Sequence, residues 1–360
     1  MYRTLDLFAG AGGLSYGFEQ TGEFEIVAAA EINENARKTY LKNHNKKDIL
    51  MIKNVVGYDF KKLNDELNID IIIGGPPCQG FSNANRQKNH IVSLNNSLVK
   101  EYFRAIKEIR PKAFVMENVS MLASDTHRFY DSYKDHDDIE KFNIKMTDDR
   151  IILSDKTYED IDLLYLFQNN MWQQYEIDQE LYHLLNVLYK NRNNEARLSK
   201  YLFKNKADII KKIFDLNEDS NINYYILKLL LCIEENIQKN EEIQKYIQEL
   251  EKILKIQKAI LNYRELLENE IISDLDIENG KVVAKVKSYS VLDYIKTILG
   301  NEYVHDGATI NSLWYGVPQE RKRYIRIGIR SDLINGKVVL PCQPEKVDTA
   351  SVGEARFDLM

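Results

Sequence analysis

The stretch "YRTLDLFAGAGGLSYGF", residues 2–18, joins a short apolar run to a helix-like segment through a glycine-rich turn. Further apolar runs follow before residue 120, namely "FEIVAAAE", "ILMIKN", "IDIIIGG" and "KAFVMEN". Buried parallel strands have this composition, and strands that alternate with helices form a parallel sheet. The sequence therefore predicts an α/β fold built on a doubly wound sheet with helices on both faces.

The composition changes twice along the chain. Residues 125–286 are rich in charged residues and asparagine and poor in glycine, and some of their apolar residues recur at three-, four- and seven-residue steps, as in an amphipathic helix. These residues are Ile243, Ile247, Leu250, Leu254 and Leu261. We predict a large, mostly helical insertion at 125–286, between the two parts of one α/β domain, residues 1–124 and 287–340. Residues 341–360 resemble a linker.

Charge and cysteine content restrict the protein class. The 360 residues include 49 Lys and Arg against 55 Asp and Glu, a net charge of −6. This balance speaks mildly against a nucleic-acid binder, although "RKRYIRIGIR" (321–330) is basic and contains no acid. Cys78, Cys232 and Cys342 lie too far apart for a disulfide framework or a zinc cluster, which predicts a reducing, cytoplasmic setting. We see neither a signal peptide nor an apolar run of the ~20 residues that cross a bilayer.

The glycine-rich turn has the features of a nucleoside site. Gly10, Gly12 and Gly13 allow a ligand to approach the backbone, and Glu31, at the end of the second strand, can accept hydrogen bonds from ribose hydroxyls. Ser15 stands where the dinucleotide fingerprint requires glycine. The turn therefore suits either a dinucleotide or another nucleoside ligand, such as S-adenosylmethionine, and a purely structural turn is the alternative.

The segment "GGPPCQGFS", residues 74–82, follows the fourth predicted strand. Pro76 and Pro77 restrict the backbone before Cys78, and Gly80 permits close approach of a substrate. A cysteine at the ligand-binding edge of a parallel sheet can act as a nucleophile when it is partly ionised. The alternative is a buried structural cysteine, which would not need so stiff a loop.

Two further segments supply polar groups at the same edge. "VMENV" places Glu117 and Asn118 beside the cysteine loop, where a carboxylate can protonate a ring nitrogen or bond to it; a helix cap is the alternative. "YGVPQERKRYIRIG" contributes Gln319, Arg321 and Arg323. Because alternate strand residues share a face, both arginines are predicted to face a carbonyl or phosphate oxygen, and a solvated edge strand is the alternative.

Together and in this order, the four segments resemble the cytosine-C5 DNA methyltransferase family, motifs I to VIII, over residues 1–124 and 287–340. "DLFAGAGGLSYGF" resembles its cofactor motif, "GGPPCQGFS" its nucleophile motif, "ENV" its acid motif and "YGVPQERKR" its QxRxR motif. The resemblance implies a Rossmann-like sheet that binds S-adenosylmethionine as cofactor and double-stranded DNA as partner.

The family pattern implies a role for individual residues. It assigns catalysis to Cys78, Glu117, Arg321 and Arg323. It assigns cofactor binding to Phe8, Ala9, Gly10, Gly12, Gly13, Leu14, Glu31, Ile32 and Pro77. It assigns contacts with the target nucleotide and its surroundings to Gln79, Ser82, Asn118 and Gln319. No metal ion is implied.

The implied reaction is transfer of a methyl group to C5 of a flipped cytosine through a covalent cysteine–C6 adduct. The implied setting is a restriction-modification system in the cytoplasm of a bacterial or phage-like host, or at its nucleoid. A tRNA methyltransferase of the same family, a truncated inactive nucleic-acid-binding homologue and a dehydrogenase are the alternatives.

Three departures from the family pattern qualify this assignment. "MIKNVVGYDF" has no clear Gly-Asp-Ile, so either Asn54 or Asp59 could bind the adenine amine. The insertion at 125–286 is predicted to be a docking or accessory DNA-contact module, or else a surface elaboration. The family's target recognition domain and last motifs are not found, and the tail at 341–360 resembles the lead-in to that domain. We therefore expect a second subunit that supplies recognition, or else a fragment.

Overall fold

The computed structural model describes residues 1–44, 48–77, 95–123, 128–158, 161–214, 227, 228, 230 and 241–344. Its strands are β1 (Tyr2–Leu7), β2 (Phe24–Ala30), β3 (Leu50–Ile52), β4 (Ile71–Gly74), β5 (Ala113–Val119), β6 (Arg128–Tyr130), β7 (Thr147–Ser154), β8 (Ser273–Glu278), β9 (Lys281–Ser290), β10 (Tyr303–Asn311) and β11 (Lys322–Arg330). Its α-helices are α1 (Gly13–Glu19), α2 (Glu34–Asn43), α3 (Phe60–Leu67), α4 (Asn95–Ile109), α5 (His136–Lys141), α6 (Leu163–Gln168), α7 (Gln179–Lys190), α8 (Glu195–Phe214), α9 (Glu241–Glu268) and α10 (Val291–Leu299).

The chain forms two compact units. The first unit consists of Met1–Thr147 and Ser288–Met360, and the second unit is Asp148–Lys287. The predicted boundaries of the insertion, at residues 125 and 286, stay a prediction. In the described part of the chain, every helix is too short or too polar to span a membrane.

A seven-stranded sheet forms the centre of the first unit, in the order β10-β11-β5-β4-β1-β2-β3. Strands β1 to β5 are parallel, whereas β10 and β11 are antiparallel to their neighbours. The strand order reverses at β1, which lies between β2 and β4. This parallel-rich sheet confirms the predicted α/β fold class, and the reversal creates the crevice at the carboxyl ends of the strands where such sheets bind ligands.

Apolar residues cover both faces of this sheet. Along β4, Ile72 packs into one buried cluster with Leu5 and Phe114, while Ile71 and Ile73 pack into the cluster on the opposite face. Side chains alternate between the faces of a strand, so a continuous apolar run is buried only where helices cover both sides. The run "IDIII" is therefore an internal strand, held at the centre of the sheet.

The segment "SYSVLDYIKTIL", residues 288–299, is divided between a strand and a helix. Residues 288–290 complete β9, where they pair with β6 in antiparallel register, and α10 begins at Val291. The side chain of Ser290 accepts a hydrogen bond from the Asp293 N–H and so caps the helix. The serine marks the start of the helix, and the residues before it belong to a strand.

The second unit is built around α7, α8 and α9. Their buried leucines and isoleucines form one cluster, in which Leu250 and Leu254 of α9 occupy the predicted apolar stripe. Strands β8 and β9 form an antiparallel hairpin that was not predicted. Its turn is Asn279–Gly280, both with positive φ (52° and 71°), which is the strongest short-range hairpin signal in a sequence.

Candidate active site

Three polar loops meet at the carboxyl edge of the sheet. Leu7 of β1 lies opposite Gly74 of β4, and Gly74 lies opposite Met116 of β5. Strands β1 and β4 end at this level, and β5 continues for three more residues to Val119, so the glycine-rich turn, the start of the cysteine loop and the end of β5 lie at the same edge. The sequence interpretation placed these three segments at one edge, and the roles of their individual residues stay a prediction.

The acid of the "ENV" segment pairs with an arginine of β11. The Arg323 Nε lies 2.7 Å from Oε1 of Glu117, and both side chains are partly buried. Strand β11 runs antiparallel to β5, with Arg323 opposite Val119 and Ile325 opposite Glu117, so the pair forms diagonally across the two strands. A guanidinium held at this distance fixes the orientation of the carboxylate.

The Glu117 carboxylate lies against the start of the cysteine loop. A Cβ atom placed on Gly75 would lie only 3.1 Å from Oε2 of Glu117. Glycine therefore leaves room for the second carboxylate oxygen beside the loop. Cys78 follows three residues later in the chain, and Cys78, Gln79 and Ser82 lie outside the described residues.

Asn118 holds the backbone of the same loop. Its Nδ2 donates a hydrogen bond to the Pro76 carbonyl at 3.0 Å, and its side chain is buried. The Gly75 N–H donates to the Leu7 carbonyl at 3.3 Å, which ties the loop to the end of β1. A buried amide of this kind fixes the path of the chain up to Pro77, whereas its predicted contact with the nucleotide stays a prediction.

Arg321 and Gln319 occupy the turn that precedes β11. Strand β11 begins at Lys322, so the alternation of faces that relates Arg323 to its neighbours does not extend to Arg321. The Arg321 N–H donates to Oδ1 of Asn311, and the Gln319 carbonyl accepts from the Ser312 hydroxyl. Both side chains are exposed. The structure therefore brings Arg323 to Glu117 and leaves the other two residues on the adjoining turn.

The glycine-rich turn is tied to Glu31. The Gly10 N–H donates to Oε2 of Glu31 at 2.9 Å, and the Asn33 N–H donates to Oε1 at 2.7 Å. Each carboxylate oxygen has a second lone pair, so Glu31 can still accept ribose hydroxyls. Phe8 adopts a positive φ of 59°, a conformation that a bulky residue rarely adopts and that turns the chain sharply at the end of β1.

The outer surface of the turn is open. A Cβ atom on Gly10 or Gly13 would meet no atom within 4 Å. Ile32, beside Glu31, leaves 76% of its surface exposed, and Phe8 is only partly buried. Exposed apolar side chains next to a carboxylate fit a nucleoside, which has a flat ring and ribose hydroxyls. Ala9 and Leu14 are partly buried and pack against the sheet beneath.

A polar cluster that the sequence interpretation missed supports the turn from below. The Tyr40 hydroxyl donates to Oδ2 of Asp6 at 3.1 Å, and the Ser15 hydroxyl lies 3.1 Å from Nε2 of His44, whose Nδ1 contacts Glu19. Burial raises the pKa of Asp6 to about 7, although hydrogen bonds from Ser15 and Tyr40 oppose the shift. A polar residue within the apolar run "TLDLF" was the available signal.

Helix α2 approaches the turn so closely that only glycine fits at one position. Gly12 has a φ of 90°, and a Cβ atom there would lie 2.6 Å from Nε2 of His44 and 3.0 Å from the Tyr40 ring. The Asn43 Nδ2 also donates to the Ala11 carbonyl at 2.8 Å. The shape of the turn is therefore set by α2 as well as by its own glycines.

The two candidates for the third strand have different surroundings. The Asp59 side chain accepts from the Lys62 N–H and caps α3. Asn54 lies two residues beyond β3, and its Oδ1 accepts from the Val56 N–H at 3.0 Å. Asn54 is thus nearer in the chain to the carboxyl end of the strand, while Asp59 is engaged at a helix start.

A polar cleft of about 870 Å³ lies at the opposite edge of the sheet. Its charged groups are paired, with Lys112 2.8 Å from Asp70 and Arg330 2.7 Å from Asp332. These pairs leave little charge for a ligand, so the cleft does not compete with the carboxyl edge as the active site. Among the described residues, no group of three or more His, Cys, Asp or Glu could hold a metal ion.

Comparison with known proteins points to one family. Residues 2–274 match the family model of the C-5 cytosine-specific DNA methylases. The chain is 39% identical over 127 residues to the Type II methyltransferase M.AgeI of Thalassovita gelatinovora, a match that covers 34% of this chain and 29% of that protein. It is 41% identical over 128 residues to the Type II methyltransferase M.XorII of Xanthomonas oryzae pv. oryzae, covering 34% and 30%.

The matches leave parts of both proteins uncovered. The chain spans about 30% of the length of these two relatives. The family match ends before β9, so Gln319, Arg321 and Arg323 lie outside it. Among solved structures, the chain is similar to a prophage-encoded E. coli protein assigned as a DNA modification methyltransferase. That similarity has a TM-score of 0.43 and 16% identity, and it covers 99% of this chain and 55% of the other.

Proposed function

Because the chain belongs to the C-5 cytosine-specific DNA methylase family, we propose that it transfers a methyl group from S-adenosylmethionine to C5 of a cytosine in double-stranded DNA. The observation that carries this proposal is the Glu117–Arg323 pair, which lies against Gly75 at the start of the cysteine loop. The pair brings the Glu117 carboxylate and the Arg323 guanidinium to the edge of the sheet where the loop that leads to Cys78 begins.

The glycine-rich turn would hold the cofactor. Glu31 would accept the ribose hydroxyls with the lone pairs that Gly10 and Asn33 leave unused, and the exposed Ile32 and the partly buried Phe8 would flank the adenine ring. When bound, S-adenosylmethionine supplies an electrophilic methyl group. The remaining contacts come from the backbone of the turn and from the loop after β4, at Ala9, Gly10, Gly12, Gly13, Leu14 and Pro77.

Cysteine attack makes the cytosine reactive. The Cys78 thiolate adds to C6, which forms the S–C6 bond and moves electron density toward N3 and C5. Glu117 protonates or hydrogen-bonds N3 and accepts from the exocyclic amine, while Arg323 holds its other oxygen. C5 then takes the methyl group, whose bond to the sulfonium sulfur would break and leave a neutral thioether. Transfer of the C5 proton to water expels the thiolate from C6 and restores the aromatic ring.

The DNA must open for this chemistry to occur. C6 of cytosine is stacked inside a duplex, so the target base has to flip into the site. Gln79, Ser82, Asn118, Gln319 and Arg321 are proposed to contact the flipped nucleotide and its surroundings. Target recognition by a second subunit, a restriction-modification role like that of the Type II relatives and a cytoplasmic or nucleoid location are parts of the same proposal.

Trapping the adduct tests the function. Duplex DNA of mixed sequence, with 5-fluorocytosine in place of cytosine, is incubated with the chain and S-adenosylmethionine. Fluorine cannot leave C5 as the proton does, so a covalent protein–DNA complex should accumulate and be detected by denaturing electrophoresis and mass spectrometry. The same incubation with 5-fluorocytosine RNA tests the RNA alternative.

The control is the Cys78→Ala variant, which should form no adduct. An adduct with Cys78→Ala would overturn the assignment of the nucleophile. An adduct with RNA and none with DNA would overturn the assignment of the substrate. If neither nucleic acid is trapped, even when a chain that supplies target recognition is present, the proposed activity is wrong.

A further inference from the structure

Helix α8 of the second unit carries an unusual charge. Its 20 residues include six Lys and Arg and two acidic residues, a formal charge of +4 in a chain whose net charge is −6. The helix buries Leu198, Leu202, Ile209 and Ile213 in the core of the unit. Its opposite side is exposed, and that exposed side carries much of the charge.

Four of the cations form a row. Arg197, Lys200, Lys204 and Lys211 are exposed, and at 100° per residue they fall within an arc of about 60° on the helix surface. The row extends over about 21 Å of helix at 1.5 Å per residue. Double-stranded DNA carries one negative charge per about 1.7 Å of its axis when both strands are counted, so phosphates of one or the other strand lie within reach along a row of this length.

Several cations elsewhere in the second unit are paired with acids. Lys212 of the same helix lies 3.1 Å from Asp178, and Lys255 lies 3.0 Å from Glu251. Within the described part of the chain, no carboxylate pairs with any of the four row residues. One exposed acid, Asp208, lies at the edge of the row, so this face of the helix carries four cations against one carboxylate.

An apolar strip runs beside the row. Phe203 leaves 97% of its surface exposed, and Ala196, Ser199 and Ala207 occupy the neighbouring exposed positions of the same strip. Small side chains allow a flat or convex partner to approach the helix closely. A fully exposed aromatic ring among cations has no role in the core of the unit, but it can pack against the sugars of a nucleic-acid backbone.

We propose that this face of α8, formed by Arg197, Lys200, Phe203, Lys204 and Lys211, binds the phosphate backbone of duplex DNA outside the active site. The proposal rests on the proposed function, in which DNA is the substrate. The four cations neutralise phosphates and release counterions, and Phe203 adds an apolar contact that does not depend on salt. The second unit then adds affinity for DNA of any sequence.

The salt dependence of binding separates these two contributions. The full chain is titrated into a fluorescently labelled 30-base-pair duplex at 50 to 300 mM NaCl, and anisotropy gives the association constant. In the variant with Arg197→Ala, Lys200→Ala, Lys204→Ala and Lys211→Ala, the slope of log K against log salt should become smaller by about 3 to 4. Affinity at 100 mM NaCl should fall more than about tenfold.

A charge-matched variant of the same unit is the control. Lys156→Ala, Lys190→Ala, Lys245→Ala and Lys287→Ala remove four exposed cations from other parts of the unit, and the slope should change by less than about 1. Phe203→Ala should weaken binding about threefold to tenfold with an unchanged slope. The single variants Lys200→Ala and Lys204→Ala should each reduce the slope by about 1, even if the fourfold variant fails to fold.

Equal slopes for the row variant and the charge-matched control would overturn the proposal, as would a wild-type chain that does not bind duplex DNA at 50 mM NaCl. The adduct experiment reports separately on the active site. A normal adduct together with an unchanged slope would leave the proposed function standing and remove the α8 contact. A reduced slope without any adduct would support the α8 contact and count against the proposed reaction.

Discussion

The two halves of the candidate active site are built in different ways. The cofactor half comes mainly from residues 8–32, and backbone groups help to shape it, such as the Gly10 N–H that donates to Glu31. The base half joins Gly75, Glu117 and Arg323 from three distant segments, and its central contact is the ion pair between the side chains of Glu117 and Arg323. Substitutions in the first half should therefore change stability and cofactor affinity, whereas substitutions in the second half should change the rate.

The largest expected effect is in the base half. Glu117→Gln keeps the size of the side chain but removes its charge and its ability to transfer a proton to N3. We expect the rate of methyl transfer to fall by about 10²- to 10⁴-fold, with the dissociation constant for S-adenosylmethionine unchanged. Single-turnover methyl transfer and calorimetry measure the two quantities.

The matched control for this variant is Glu320→Gln, because Glu320 is an exposed acid on the turn before β11, 3.5 Å from Lys322. It should leave both quantities unchanged within about twofold, since exposed ion pairs contribute little. Equal losses of rate in the two variants, or a loss of cofactor affinity in Glu117→Gln, would contradict the proposed difference between the two halves of the site.

In the cofactor half, the largest effect is expected at Gly12. In Gly12→Ala the new Cβ would meet His44 and Tyr40 at a φ of 90°, so we expect the free energy of unfolding to fall by about 2 to 4 kcal/mol. Gly13→Ala is the control, because its Cβ points into open space, and it should change stability by less than about 1 kcal/mol. Urea unfolding measures both, and equal midpoints for the two variants would contradict the close approach of α2.

The strands and the edge of the sheet were predictable from the sequence, for a physical reason. Parallel strands are buried on both faces, so "IDIII" and "FEIVAAAE" show themselves as apolar runs, and the carboxyl ends of parallel strands meet at one edge. That reasoning placed Glu117 beside the cysteine loop. Arg323 was instead placed at that edge by the alternation of faces along its strand, and the structure alone shows its contact with Glu117 at 2.7 Å.

Other features of the structure depend on tertiary contacts and strand boundaries, which the apolar pattern of the sequence does not show. The pattern of α2 does not say that Tyr40 and His44 reach under the glycine-rich turn, because that contact depends on how the helix packs. The extension of the arginine face to Arg321 assumed that the strand begins earlier than Lys322. The β8–β9 hairpin was missed even though Asn279–Gly280 marks its turn, because the insertion as a whole was interpreted as mostly helical.

The buried carboxyl of Asp6, beneath the cofactor half, is expected to change the free energy of unfolding with pH, and this effect is smaller per pH unit than the effect of Gly12→Ala. Burial raises the pKa of Asp6 from 3.8 to about 7, so between these values the folded protein binds a proton that the unfolded chain has released. The free energy of unfolding should therefore fall as pH rises from 4 to 7, by up to about 1.4 kcal/mol per pH unit from this group. Urea midpoints at pH 5, 6, 7 and 8 measure the trend.

The Asp6→Asn variant isolates this contribution. His305 has the opposite influence, because burial and the neighbouring Arg326 lower its pKa from 6.5 to about 4, so its contribution to stability increases as pH rises through that range. In wild type the two trends partly offset one another, and in Asp6→Asn only the rise should remain. A pH dependence identical to that of wild type would show that Asp6 is ionised throughout.

The smallest effect concerns whether the cofactor half extends to β3. We expect Asn54→Ala to weaken binding of S-adenosylmethionine about fivefold, the loss of one hydrogen bond to the adenine amine. Asp59→Ala should instead lower the free energy of unfolding by about 1 kcal/mol, because its side chain caps α3, and should leave the affinity unchanged. Calorimetry and urea unfolding on both variants measure the two quantities. A loss of affinity in Asp59→Ala without a loss of stability would show that Asp59, and not Asn54, binds the adenine amine. The cofactor half would then extend from β3 to the start of α3.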